Sequence, residues 1–134
     1  MKVSGGCYCG ELRYEAEGDP MLMLECHCRE CQYYASGGPS HNLVMPLDGF
    51  RYTTGSPATF TRSDLEYPIT REFCPTCHTF IASLSPKLAT ATILKVGTLD
   101  DPAQYDPGML IYTGEMQPFH QLPETAMSFE GAPG

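Results

Sequence analysis

The 134-residue sequence predicts a mainly β fold with few short helical turns, stapled by metal. Three observations carry this. Short apolar or β-branched runs recur along most of the chain, and 12 prolines and 13 glycines punctuate them. Residues 11–17 alternate strictly, placing Leu12, Tyr14 and Ala16 on one face, the period of a half-exposed strand. The seven cysteines gather into tight groups instead of scattering.

In chain order, Gly5-Gly6 and Gly10 bracket Cys7 and Cys9 and give the backbone freedom to fold closely around an ion. The alternating strand follows, and Gly18-Asp19-Pro20 turns the chain into a short apolar strand at 21–24. One helical turn is expected at 32–36, ended by Gly37-Gly38-Pro39. Strands are expected at 43–45, 50–53, 58–61, 69–73, 80–84 and 89–96, separated by Pro46, Asp48-Gly49, Gly55-Ser56-Pro57 and Tyr67-Pro68. Residues 98–105 read as a helix start, with Asp101 as cap and Pro102 in the first turn. A last strand is expected at 110–112, and from Gly114 the chain is rich in Pro and Gly, with frayed final residues. No repeat or linker interrupts it, so 1–134 is read as one domain.

Glu25-Cys26-His27-Cys28-Arg29-Glu30-Cys31 packs three thiols into a C-x-C-x-x-C run. Cys7 and Cys9 form a C-x-C, and Cys74 and Cys77 a C-x-x-C. Both spacings let thiolates converge on one ion from a short stretch of backbone. The simplest division gives the run one ion with a vacant position, and joins the two distant pairs in a closed four-thiolate site. A closed site is usually structural, and an open one is the pattern of catalytic zinc. Other partitions stay open, including a knuckle formed by Cys28 and Cys31. An odd cysteine count and no signal peptide argue against a disulfide framework, and the spacings do not match ferredoxin patterns.

Sixteen acidic against eight basic residues give a formal charge of −8, which repels phosphate backbones and disfavours nucleic acid as a partner. No apolar run approaches the roughly 20 residues that span a membrane. Clustered thiols without an export signal point to a reducing cytoplasm.

The chain resembles the glutathione-dependent formaldehyde-activating family, which includes the centromere protein CENP-V. The matching residues are Gly6-Cys7-Tyr8-Cys9-Gly10 with Tyr14, Cys26-His27-Cys28-Arg29-Glu30-Cys31, Arg71-Glu72-Phe73-Cys74-Pro75-Thr76-Cys77, and Lys95-Val96-Gly97-Thr98-Leu99-Asp100-Asp101-Pro102. The resemblance implies a fold of coiled antiparallel sheets (Mss4-like) related to methionine sulfoxide reductase B. It also implies two zinc ions, a structural one on Cys7, Cys9, Cys74 and Cys77 and a catalytic one on Cys26, Cys28 and Cys31. The implied reaction adds the thiol of glutathione, or a similar thiol, to formaldehyde or another small aldehyde, and the reverse step is a carbon–sulfur lyase.

Several other residues are candidates. His27, flanked by two ligands, is expected to point away from the metal as a hydrogen-bonding support. His78 follows Cys77 where the family usually has Gly, so a positive φ is the simple reading and a ligand or proton shuttle the sharper one. Surface or packing roles are the default for His41 and His120. Arg29 and Glu30 either steer a charged substrate or pair with each other. Arg71 reads as an outward strand residue more readily than as a carboxylate binder, and Asp100 and Asp101 as capping residues. Tyr33 and Tyr34 either line a pocket or join the core. The leading expectation is a zinc enzyme acting on a carbon–sulfur bond. Its rivals are a non-catalytic zinc-binding interaction module, which a fourth protein ligand on the second site would favour, and a metal-free thiol redox protein.

Overall fold

A computed structural model describes residues 1–124 and 126–133. Among the described residues, eleven strands make two sheets, and one short α-helix accompanies them. The small sheet, in the order β1-β2-β5, is antiparallel and holds β1 (Lys2–Gly6), β2 (Arg13–Glu17) and β5 (Phe50–Thr54). The large one is eight-stranded, in the order β11-β10-β3-β4-β9-β8-β7-β6. It contains β3 (Leu22–Cys26), β4 (Ser40–Pro46), β6 (Ala58–Thr61), β7 (Thr70–Phe73), β8 (Phe80–Leu84), β9 (Ala91–Lys95), β10 (Met109–Ile111) and β11 (Met127–Ser128). Most pairings are antiparallel, as expected, but β10 runs parallel to both β3 and β11 and makes the sheet mixed.

The core lies between the sheets. Leu12, Tyr14 and Ala16 are fully buried against Leu43, Met45, Ile81 and Leu94. The strict alternation around β2 has its cause here, because one face meets the core and Arg13 and Glu15 meet solvent. Strand β4 does not alternate in polarity, since Leu43, Val44 and Met45 are all buried. It sits between β3 and β9, with Leu43 and Met45 in the core and Val44 in a second cluster on the other face, so a continuous apolar run suits it. A second, smaller cluster of Leu24, Cys26, Val44, Ala91 and Ile111 marks the opposite face of the large sheet, where the site lies.

Two strands escape the sequence reading. Strand β1 has glycines where β-formers are expected, but Gly5 is required by contact: a Cβ there would lie 2.5 Å from the Tyr14 hydroxyl and closer still to Thr98 O. The reason for Gly5 is therefore packing, not freedom around an ion; that freedom is used by Gly10, at φ +84°. Strand β11 consists of two exposed residues and has no apolar pattern to find. The helix expected at 98–105 is replaced by two 3-10 turns, Val96–Thr98 and Pro102–Gln104. Asp101 does cap the second, accepting from Ala103 N at 3.2 Å. Asp100 caps nothing; it pairs with Arg13 and accepts from Ser4 Oγ at 2.7 Å.

The Tyr14 hydroxyl lies 2.8 Å from Thr98 Oγ1, inside the core. Burial pushes its pKa up to about 12, against the opposing effect of the Thr98 hydrogen bond. The unfolded value is about 10, so the native state holds this proton more tightly. The resulting stabilisation is complete below pH 10 and falls away as pH rises towards 12. Urea unfolding at pH 8 and pH 11.5 should differ by about 2 kcal/mol more for the native sequence than for Tyr14→Phe. Equal losses in the two proteins would refute the assignment.

Candidate metal centre

The first cysteine group forms where two turns meet. After β1 the chain reverses through Cys7–Gly10, with Gly10 N donating to Cys7 O at 3.2 Å and Leu12 N donating to Cys7 Sγ at 3.2 Å. After β7, Thr76 N and Cys77 N each donate to Cys74 Sγ at 3.4 Å, and His78 N donates to Cys74 O at 2.9 Å. His78 has φ +64°, which bears out the simple reading of that position; its ring borders a side cleft with Phe60 and Phe73. The turns bring the Sγ atoms of Cys7, Cys9, Cys74 and Cys77 within 4.8 Å of one another. Cys7 to Cys9 is 3.6 Å and Cys9 to Cys74 is 3.8 Å. Four sulfurs placed about 2.3 Å from a tetrahedral ion lie roughly 3.8 Å apart. The donor set therefore fits a closed tetrahedral site, and the spacings are far too long for disulfides.

The second group sits at the β3-to-helix junction. Cys26 ends β3, Cys28 is the N-cap of α1 (Arg29–Tyr34), and Cys31 lies in its first turn. Cys31 N donates to Cys28 Sγ at 3.4 Å. The three sulfurs also converge within 4.8 Å, and among the described residues no His, Cys, Asp or Glu joins them. Hydrogen bonds from the Cys26 and Cys31 thiols hold the pKa of Cys28 well below the usual thiol range. This donor set fits a soft divalent ion with one position left for another ligand.

Behind the knot lies a buried polar network. His27 is fully buried, with Nε2 3.1 Å from Glu25 Oε2 and Nδ1 3.4 Å from His120 Nδ1. His120 Nε2 donates to Gly37 O at 2.6 Å, which leaves its Nδ1 to accept from Gln117 N at 2.9 Å. Buried Gln32 ties the loop down through donations to His27 O at 2.8 Å and Glu115 O at 2.9 Å. His27 thus supports the loop from behind, as expected, and His120 has a packing role while His41 stays half exposed.

In front, the three thiols open onto a cavity of about 570 Å³. Arg71 is only 7% exposed and borders this cavity, which overturns the outward-facing expectation. The bulge in the β7–β8 pairing lies beside it, between Glu72 and Phe73. Its guanidinium stacks on Tyr34 at 4.4 Å and lies 3.7 Å from Glu30. Arg29 donates to Gln32 Oε1 at 2.6 Å, so Arg29 and Glu30 take different partners instead of each other. Tyr34 lines the cavity and Tyr33 is 77% exposed, so neither belongs to the core.

Sequence reasoning missed Lys95 as a site residue. Its Nζ donates to Asn42 Oδ1 at 2.7 Å and to Ser40 Oγ at 3.3 Å, packs 4.6 Å from the Phe80 ring centre, and borders the cavity. Burial pulls its pKa down to about 8, against the opposing electrostatic pull of the nearby cysteine sulfurs. The available signal was a lysine inside the apolar run Ala91-Thr92-Ile93-Leu94-Lys95-Val96, a residue type seldom buried without a partner.

Among the described residues, no helix is long and apolar enough to cross a membrane. None of the curated proteins matches the chain significantly. A crystal structure of a Rhodobacter sphaeroides protein superposes with a TM-score of 0.62 at 18% identity, covering 76% of this chain and 94% of that one, and so shares the fold. The family model described as glutathione-dependent formaldehyde-activating enzyme matches residues 2–115, a span containing both thiol clusters, Arg71 and Lys95. With that match over most of its length, the chain belongs to the glutathione-dependent formaldehyde-activating enzyme family.

Proposed function

We propose that residues 1–134 act as one zinc-binding domain that adds a thiol, glutathione or a similar one, to a small aldehyde, or reverses that step. Cys7, Cys9, Cys74 and Cys77 hold a structural ion, and Cys26, Cys28 and Cys31 a working one. When bound there, zinc lowers the pKa of an incoming thiol, so that the sulfur is presented as thiolate. The observation that carries the reading is the three-thiol knot, which lacks a fourth protein ligand among the described residues and faces the cavity.

The chain's own residues then have separate tasks. Arg71 meets the carboxylate of an anionic thiol; a guanidinium with no hydrogen-bonded partner among the described residues suits that task. Lys95 spends two N–H bonds on Asn42 and Ser40 and has a third for the carbonyl oxygen. As sulfur bonds to the carbonyl carbon, the C=O π pair moves to oxygen, and Lys95 supplies the proton that completes the hydroxyl. The thiol's own proton is returned to Lys95 through solvent. Cys28, Gln32 and the His27 network keep the knot in place throughout.

The test joins elemental analysis to an adduct assay on anaerobically purified protein. Near two zincs per chain, with thiol–aldehyde adduct forming well above the uncatalysed rate, is the expected result. Protein that holds zinc yet leaves that rate unchanged with several thiols and aldehydes would defeat the proposal. For Arg71→Gln, KM for a carboxylate-bearing thiol should rise roughly 10- to 100-fold, the usual weight of a charged hydrogen bond. An uncharged thiol should be little affected. Equal losses for both thiols would remove Arg71 from substrate binding.

A further inference from the structure

The cavity floor is one face of the large sheet, and its register orders the chemistry into rows. Period two puts Leu22, Leu24 and Cys26 of β3 on that face. Across the ladder, Cys26 faces Ser40, Leu24 faces Asn42, and Leu22 faces Val44. One strand further, Asn42 faces Lys95 and Val44 faces Ile93. The row with the thiol holds Ile111, Cys26 and Ser40, the middle row carries the lysine, and the far row is apolar across β3, β4 and β9, with Leu22, Val44 and Ile93, before it reaches Ser83 on β8 and Arg71 on β7. Rows lie roughly 7 Å apart, so the apolar row begins about 13 Å from the thiol row.

A one-carbon aldehyde makes no use of such a floor. A cavity of about 570 Å³ falls within the range of sites that enclose drug-sized ligands. Val44 is almost fully buried, whereas Leu22 and Ile93 are half buried and border the open space, leaving apolar surface for a ligand to cover.

We infer that the carbonyl substrate is an aldehyde with an unbranched apolar tail of about six to eight carbons, a length that reaches the far row from a carbonyl set between the thiol row and the lysine row. Its carbonyl lies between the three-thiol knot and Lys95, and its tail lies on Leu22, Val44 and Ile93. This rests on the thiol-addition reading above, and the chemistry is unchanged: the carbon–sulfur bond forms, the C=O π bond opens, and the oxygen ends protonated.

Straight-chain primary alcohols, from methanol to 1-octanol, test the tail without turnover because they cannot undergo the addition. Calorimetric or NMR titration of the zinc-loaded full chain should show affinity rising roughly three- to fourfold per methylene before levelling off. Ile93→Trp, which fills the far row, should abolish that dependence for 1-hexanol and longer alcohols while leaving zinc content and melting temperature near native. Leu22→Trp is the second variant should the first fold poorly. In the adduct assay, kcat/KM for hexanal should exceed that for formaldehyde at least tenfold. Affinity independent of chain length, or a length dependence that both tryptophan variants leave intact, would overturn the inference. Length-dependent binding with no adduct from any aldehyde would support the apolar site and defeat the thiol-addition reading. Turnover of formaldehyde with no length dependence would do the reverse.

Discussion

Cys74→Ser is expected to leave a chain that does not hold its fold at 25 °C and that loses the ion of the four-thiol cluster. Cys74 is fully buried, and its sulfur takes two backbone N–H bonds from its own turn. Its cluster joins the turn after β1 to the turn after β7, which belong to different sheets. Ion binding in such a site contributes about 10–16 kcal/mol at neutral pH, and that free energy is folding free energy. A domain of this size has a net stability of about 5–15 kcal/mol, so even a partial loss is decisive. Circular dichroism melts beside elemental analysis would check it. A variant that melts within about 3 °C of the native protein and keeps its full metal content would show that this cluster is not a staple.

The second large effect is expected from Cys28→Ser, with the opposite pattern. Zinc should fall from near two to near one per chain, thiol–aldehyde addition should drop at least about 100-fold, and the fold should persist. Cys28 is the N-cap of α1 and accepts from Cys31 N at 3.4 Å, a role that serine fills at least as well. The structural cost is therefore small, and the loss reports on the knot itself. Retention of activity within about threefold after the second ion has gone would separate that site from the chemistry. Retention of both ions would point instead to another ligand and revive the interaction-module reading.

The contrast between the two variants follows from where each cluster sits. The four-thiol group closes a long-range connection, so its loss releases much of the chain. The three-thiol group spans six residues at the end of β3 and is supported from behind by His27, Glu25 and Gln32. Neither of these hydrogen bonds uses a sulfur of the knot.

The sequence by itself determined what depends on neighbours along the chain. The C-x-C and C-x-x-C spacings are local geometry, and the grouping they suggest is the one found in space. The strand at 11–17, the apolar runs of β4 and β9, the Asp101 cap and the left-handed His78 were legible for the same reason. Tertiary structure alone decided which side chains face the thiols from other strands. Arg71 and Lys95 lie on β7 and β9, and their place on the cavity face depends on cross-strand register. A shift of one residue would send either cation to the other face. The buried His27–His120 contact closes a separation of 93 residues. The spacing of cysteines along a short peptide fixes where an ion fits, but only the pairing of distant strands fixes what stands in front of it.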